Sequence, residues 1–85
     1  MTLDEIASTM AMKAPIKSSE EWLDFFSMGP ELQEAEARLV KSTVLAQPDG
    51  QSAWDGVMVF LGVAATVAGD VVGVGSAVTF FRGLA

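Results

Sequence analysis

Apolar residues in the first half of the chain recur at the spacing of amphipathic helices. Thr2 and Glu5 stand three residues apart, the spacing of a capping box at a helix start. Leu3, Ile6 and Met10 follow at positions that share one helical face. The pattern therefore predicts a first short helix that begins after Thr2 and ends before the proline at position 15.

The same pattern predicts two more helices in this half. Ser18 and Glu21 repeat the capping-box spacing in front of an aromatic stripe. Gly29 suits the end of this second helix, and Pro30 suits the first turn of the next. We expect the third helix to run from about Pro30 to about Gln47, with its apolar face at positions 32, 35, 39, 40 and 44.

The aromatic stripe of the second helix consists of Trp22, Phe25 and Phe26. Such a stripe ordinarily forms one face of a protein core. Three short helices within 50 residues bury little apolar surface by themselves, however. We therefore expect the stripe to pack against something outside the chain, as a docking stripe for a partner.

The second half of the chain contains a long stretch with almost no charge. Positions 56–81 are 26 residues whose one charged side chain is Asp70. As a single helix this stretch would extend about 39 Å, enough to cross a hydrocarbon core of about 30 Å. Its two ends carry residue types that anchor helices at membrane interfaces, namely Trp54, Phe80, Phe81 and Arg82. The stretch predicts a transmembrane helix; a buried central helix of a filament and a β-branched strand over 71–81 are the alternatives.

Small residues share one face of this predicted helix. At 100° per residue the following positions fall together, opposite a bulky face: Gly62, Ala65, Gly69, Gly73, Ser76 and Ala77. Small residues at this spacing let two helix backbones approach closely. We therefore interpret these six positions as a helix-packing face.

Asp70 stands near the middle of the apolar stretch, one turn after Thr66. A carboxylate at that depth must face a protein interior or water. We interpret Asp70 and Thr66 as buried polar groups that fix helix pairing, with an ion or proton site as the alternative interpretation of Asp70.

Charge and composition exclude several classes of function. The chain has 5 basic and 11 acidic residues, a net charge of −6, and neither cysteine nor histidine. Disulfides, thiolate or imidazole metal sites and the commonest catalytic side chains are thus absent. The acidic balance also argues against nucleic-acid binding. Ten of the acidic residues lie in positions 1–55, so the charged and the apolar parts of the chain are separate.

Together these observations predict an all-α protein in two parts, an acidic amphipathic helical segment at 1–50 and an apolar, Gly- and Val-rich single-span helix at 51–85. We expect a non-enzymatic membrane subunit that packs through its small-residue face into a ring or a larger membrane complex. Its partners would be membrane lipid and other copies or other membrane helices, with no small-molecule substrate, cofactor or metal. The basic residues Arg38 and Lys41 favour an N-terminus on the inside.

The alternative function is a structural filament or virion coat subunit, whose apolar helix is buried between copies in an extracellular or virion filament. A pore-forming peptide is a third class, but such peptides usually carry basic polar faces, and this chain is acidic.

Overall fold

The protein is built from α-helices. A computed structural model describes residues 1–67 and 73–84 of the 85-residue chain, and within them it contains five helices and no strand. The prediction of an all-α fold is therefore confirmed. In chain order the helices are α1 (Leu3–Lys13), α2 (Ser19–Phe26), α3 (Pro30–Leu45), α4 (Gly50–Val67) and α5 (Val74–Gly83).

The first two helix starts are the capping boxes that the sequence predicts. The Thr2 hydroxyl accepts the backbone N–H of Glu5 at 3.2 Å, and the Glu5 carboxylate accepts that of Thr2 at 3.0 Å. Ser18 and Glu21 repeat this pair of hydrogen bonds with the same two distances. Each box satisfies N–H groups that an open helix end would leave unpaired, so these short helices begin at defined residues.

The prediction of one long apolar helix is wrong. The apolar stretch forms two helices, α4 and α5, which pack against each other. The ring centroids of Trp54 and Phe81 are 4.9 Å apart, whereas one continuous helix would separate these residues by about 40 Å. Among the described residues, no helix combines the length and the apolar character needed to cross a membrane.

Gly73 explains why α5 starts afresh rather than continuing α4. Its φ of 89° lies in the left-handed region that favours glycine. Its α-carbon also packs so closely on the end of α2 that a β-carbon would collide with the carbonyl oxygen of Phe26. A glycine that the sequence places in a helix-packing face thus serves as the cap of a new helix and as a point of close backbone contact.

A buried amide holds this arrangement together. Gln33 of α3 is almost fully buried, and its side-chain N–H group donates to the carbonyl oxygens of Gly73 at 2.9 Å and of Phe25 at 3.2 Å. The Ser76 hydroxyl donates in turn to the Gln33 carbonyl oxygen at 2.6 Å. The amide therefore ties the end of α2 and the start of α5 to the first turn of α3.

The aromatic stripe of α2 lies inside the chain's own core. Trp22, Phe25 and Phe26 are fully buried, and the ring of Phe25 stacks on that of Phe81 at 5.8 Å. One hydrophobic core in the described part of the chain combines residues of the 1–50 and the 51–85 segments, including Trp54. The surface that we expected an outside partner to supply is therefore supplied by the chain itself, since α1 packs closely on α2 and Phe81 of α5 stacks on Phe25.

The face of α3 that enters the core differs from the predicted one. The buried positions are 33, 37, 40 and 44, whereas Leu32 and Leu39 are 69% and 62% exposed. The prediction was correct only at positions 40 and 44. The hydrogen bonds of Gln33 explain the difference, because they require this polar residue, rather than its leucine neighbour, to point inward.

We predict that Gly73→Ala destabilises the fold by about 2–4 kcal/mol, the combined cost of a left-handed alanine and of overpacking against Phe26. Gly75→Ala is the matched control, because Gly75 is helical, exposed and has open space around it. That variant should be neutral or more stable by up to about 1 kcal/mol. Urea denaturation followed by circular dichroism measures both, and equal effects would show that the Gly73 contact is unimportant.

We also predict an acid-sensitive contribution from the two capping boxes. Hydrogen bonds from the backbone N–H groups of Thr2 and Ser18, followed by those of their hydroxyls, lower the pKa of Glu5 and Glu21 below the ordinary 4.5. Because the folded pKa is the lower one, this stabilisation is present above pH 4.5 and is lost as the pH falls through the folded value.

The double variant Glu5→Gln/Glu21→Gln keeps the hydrogen-bond acceptors and removes the titration. It should be less stable than the wild type at neutral pH, and the difference should shrink at pH values below 4.5. The urea concentration at the midpoint of unfolding, measured for both proteins at neutral and at acidic pH, gives this difference in stability. A difference that stays constant with pH would contradict this account of the caps.

Candidate interaction surface on α4

Three valines form an apolar strip on the outer face of α4. Val59, Val63 and Val67 are 69%, 51% and 64% exposed. They recur every four residues, so they share one face of the helix. The buried residues of α4 at positions 54, 57, 61 and 64 lie on the opposite face, against the core. We call Val59, Val63 and Val67 the valine surface.

The valine surface borders a shallow groove beside α5. Gly62 forms its floor, since the absent side chain leaves a depression between Val59 and Val63. The guanidinium of Arg82 lies at the edge, 3.6 Å from where a β-carbon of Gly62 would stand. The Thr66 hydroxyl donates to the Gly62 carbonyl at 3.0 Å, so it is already satisfied by its own helix. The groove therefore offers apolar contact with a cation at one edge.

The other edge of the valine surface carries charges of both signs. Lys13 of α1 places its ammonium 5.7 Å from the ring centroid of Phe60, in a cation–π contact. Lys13 and Asp55 line this edge together with Val59 and Val63. With Arg82 on the opposite edge, the described residues that border the valine surface include two cations and one carboxylate.

A second apolar strip lies on the outer face of α3. It consists of Leu32, Ala35 and Leu39, all exposed, and we call it the leucine surface. Its spacing of three and then four residues places the three side chains on one face. Glu31, Glu34 and Arg38 line the pocket beside Ala35, and Arg38 lies 3.5 Å from the Glu34 carboxylate. This surface therefore has an acidic border.

The structure does not bring the predicted helix-packing face together. Gly62 and Ala65 belong to α4, whereas Ser76 and Ala77 belong to α5 and Gly73 caps that helix. Ala77 is buried in the core, and Ser76 is bound to Gln33. Gly69 lies outside the described residues. The five described positions do not form one face, because they are divided between α4 and α5.

The residues that the sequence predicts as membrane anchors and buried polar groups do not lie where a membrane helix would place them. Trp54 and Phe81 are core residues in contact with each other, and Phe80 is half-buried against the core. Arg82 alone among the four anchors is exposed. Thr66 lies on the surface rather than in the interior, while Asp70 falls outside the described residues.

Two features of the structure were not predicted from the sequence, namely the buried amide of Gln33 and the valine surface. Gln33 was overlooked because its leucine neighbour gave α3 a stronger apolar pattern, although position 33 shares a face with Ala37, Val40 and Val44. The exposed valines were counted as part of a membrane span. Their spacing of four residues on a charge-poor helix was the available signal for a surface strip.

The described residues assemble no cluster of groups with perturbed chemistry. Within 1–67 and 73–84, every buried side-chain nitrogen and oxygen has a hydrogen-bond partner, and no three acidic residues gather as metal ligands. The lowered pKa values of Glu5 and Glu21 belong to helix caps. The strongest candidate for a functional site is therefore an apolar contact surface. The absence of an enzymatic activity, a cofactor and a metal stays a prediction.

Comparison with protein-family models, with curated proteins and with solved structures returned no match to this chain.

Proposed function

We propose that this chain is a non-enzymatic structural subunit that assembles with further copies of itself through the valine surface of α4. The observation that carries the proposal is the exposure of Val59, Val63 and Val67 outside the core that the described residues form. Contiguous apolar patches on small proteins commonly mark sites of protein or membrane interaction. This retains the assembly role expected from the sequence and changes the surface that performs it.

Within residues 1–67 and 73–84, the valine surface lies outside the hydrophobic core. The inner face of α4 already packs Val57, Leu61 and Ala64 in the core. Valine is also a mediocre residue for an exposed helix position, because its branched β-carbon restricts the side chain. Fully burying a valine contributes at least about 1.5 kcal/mol, so three of them supply a useful fraction of the roughly 8 kcal/mol of a micromolar contact.

The alternative function is the single-span membrane subunit that the sequence suggests. Such a state would require the Trp54–Phe81 contact to open, so that α4 and α5 could join in one helix. The low charge of positions 56–81 favours this alternative. Carbonate extraction of native membranes separates the two functions, because a spanning protein remains in the pellet and a peripheral assembly subunit is released.

We predict that Val63→Ser weakens self-association of the full chain by about tenfold, the loss expected when one buried valine is removed from a contact. Met12→Ser is the matched control, since Met12 is an exposed apolar residue on α1 that lines neither edge of the valine surface. Sedimentation velocity over a concentration series measures the association of both variants and the wild type.

The control variant should associate as the wild type does. Equal weakening by both variants would mean that general surface hydrophobicity drives association rather than this surface. A wild-type chain that stays monomeric at the highest attainable concentration would contradict the proposed function.

A further inference from the structure

The leucine surface of α3 is a second exposed apolar strip, and it can serve as the partner of the valine surface. We infer that the valine surface of one copy receives the leucine surface of α3 from the next copy, in a head-to-tail contact. This inference rests on the proposed function and adds to it which surfaces meet, and in what arrangement.

The shapes of the two surfaces suit a helix lying in a groove. Amphipathic helices dock through apolar anchors spaced three and four residues apart, which is the spacing of Leu32, Ala35 and Leu39. The groove on α4 has a depression at Gly62 between Val59 and Val63. A long leucine side chain fills such a depression, as ridges of one helix fill the grooves of another.

The charges around the two surfaces are complementary. Among the described residues, the valine surface is bordered by Arg82, Lys13 and Asp55, a local net charge of +1. The leucine surface is bordered by Glu31, Glu34 and Arg38, a local net charge of −1. Head-to-tail contact therefore brings opposite charges together in a chain whose overall charge of −6 opposes unspecific association.

The two self-pairings place like charges together. A contact between two valine surfaces joins two borders that each have a net charge of +1 among the described residues. A contact between two leucine surfaces joins two borders that each have a net charge of −1. Like charges across an interface disfavour the wrong pairing, so the electrostatics select the pairing of unlike surfaces.

Both surfaces point away from the core, each on its own helix, so one copy can use both at the same time. The buried positions of α3 and α4 lie on the faces opposite to the leucine and valine surfaces. A contact between two unlike surfaces repeats from copy to copy, and it produces a closed ring or an open filament rather than a closed dimer.

Two variants, each with one surface blocked, test the arrangement. Val59→Asp blocks the valine surface, and Leu39→Asp blocks the leucine surface; both positions are exposed, and circular dichroism checks that the folds are unchanged. Each variant alone should associate about 100-fold or more weakly than the wild type, because the new carboxylate must lose its hydration to enter an apolar contact. An equimolar mixture should form a 1:1 complex and stop there, since each copy retains one intact surface. Sedimentation velocity and light scattering measure the mass and the ratio.

The possible results separate this inference from the proposed function. If Val59→Asp blocks association while Leu39→Asp associates as the wild type does, the valine surface pairs with itself; the proposed function stands and the head-to-tail contact is overturned. If the mixture stays monomeric although the wild type associates, the head-to-tail contact is also overturned. A monomeric wild type overturns both.

Discussion

The side-chain amide of Gln33 is the constraint on which the rest of the fold depends. Its hydrogen bonds join α3 to the last turn of α2 and to Gly73 at the start of α5. An amide in the interior is costly unless it is paired, so displacing α5 would leave buried polar groups without partners. The close contact between Gly73 and the Phe26 backbone leaves no room for another residue at this junction. Polar pairing and backbone proximity thus set where α5 begins.

The position of α5 decides which surfaces are buried and which remain exposed. Because α5 packs back against α4, Phe81 reaches both Trp54 and Phe25, and the aromatic stripe of α2 becomes the centre of the core. The inner face of α4 is used in the same core, while its valines face outward. The valine surface is therefore a consequence of the fold-back, and the proposed assembly connects it to the equally unpartnered leucines of α3.

Local features of this fold could be predicted from the sequence, and its long-range features could not. The capping boxes at Thr2 and Ser18 depend on residues three apart, so the pattern contains all that forms them. The break at Gly73 depends on Gln33, forty positions earlier, which periodicity does not reveal. Glycine suits both close helix packing and a left-handed cap, so an apolar, glycine-rich stretch is compatible with a span and with a helical pair. The valine surface was missed for the same reason, since exposed valines on a spanning helix would face lipid and would not indicate a protein contact surface.

The most direct test is the distance between the two ends of the apolar half. The chain has no cysteine, so Ser52→Cys/Gly83→Cys places spin labels at two exposed sites, near the start of α4 and at the end of α5. Pulsed electron spin resonance then measures their separation in the full chain. The fold-back predicts a short distance, set by the Trp54–Phe81 contact and the label linkers. A separation of about 46 Å, the length of one continuous helix over these positions, would contradict it.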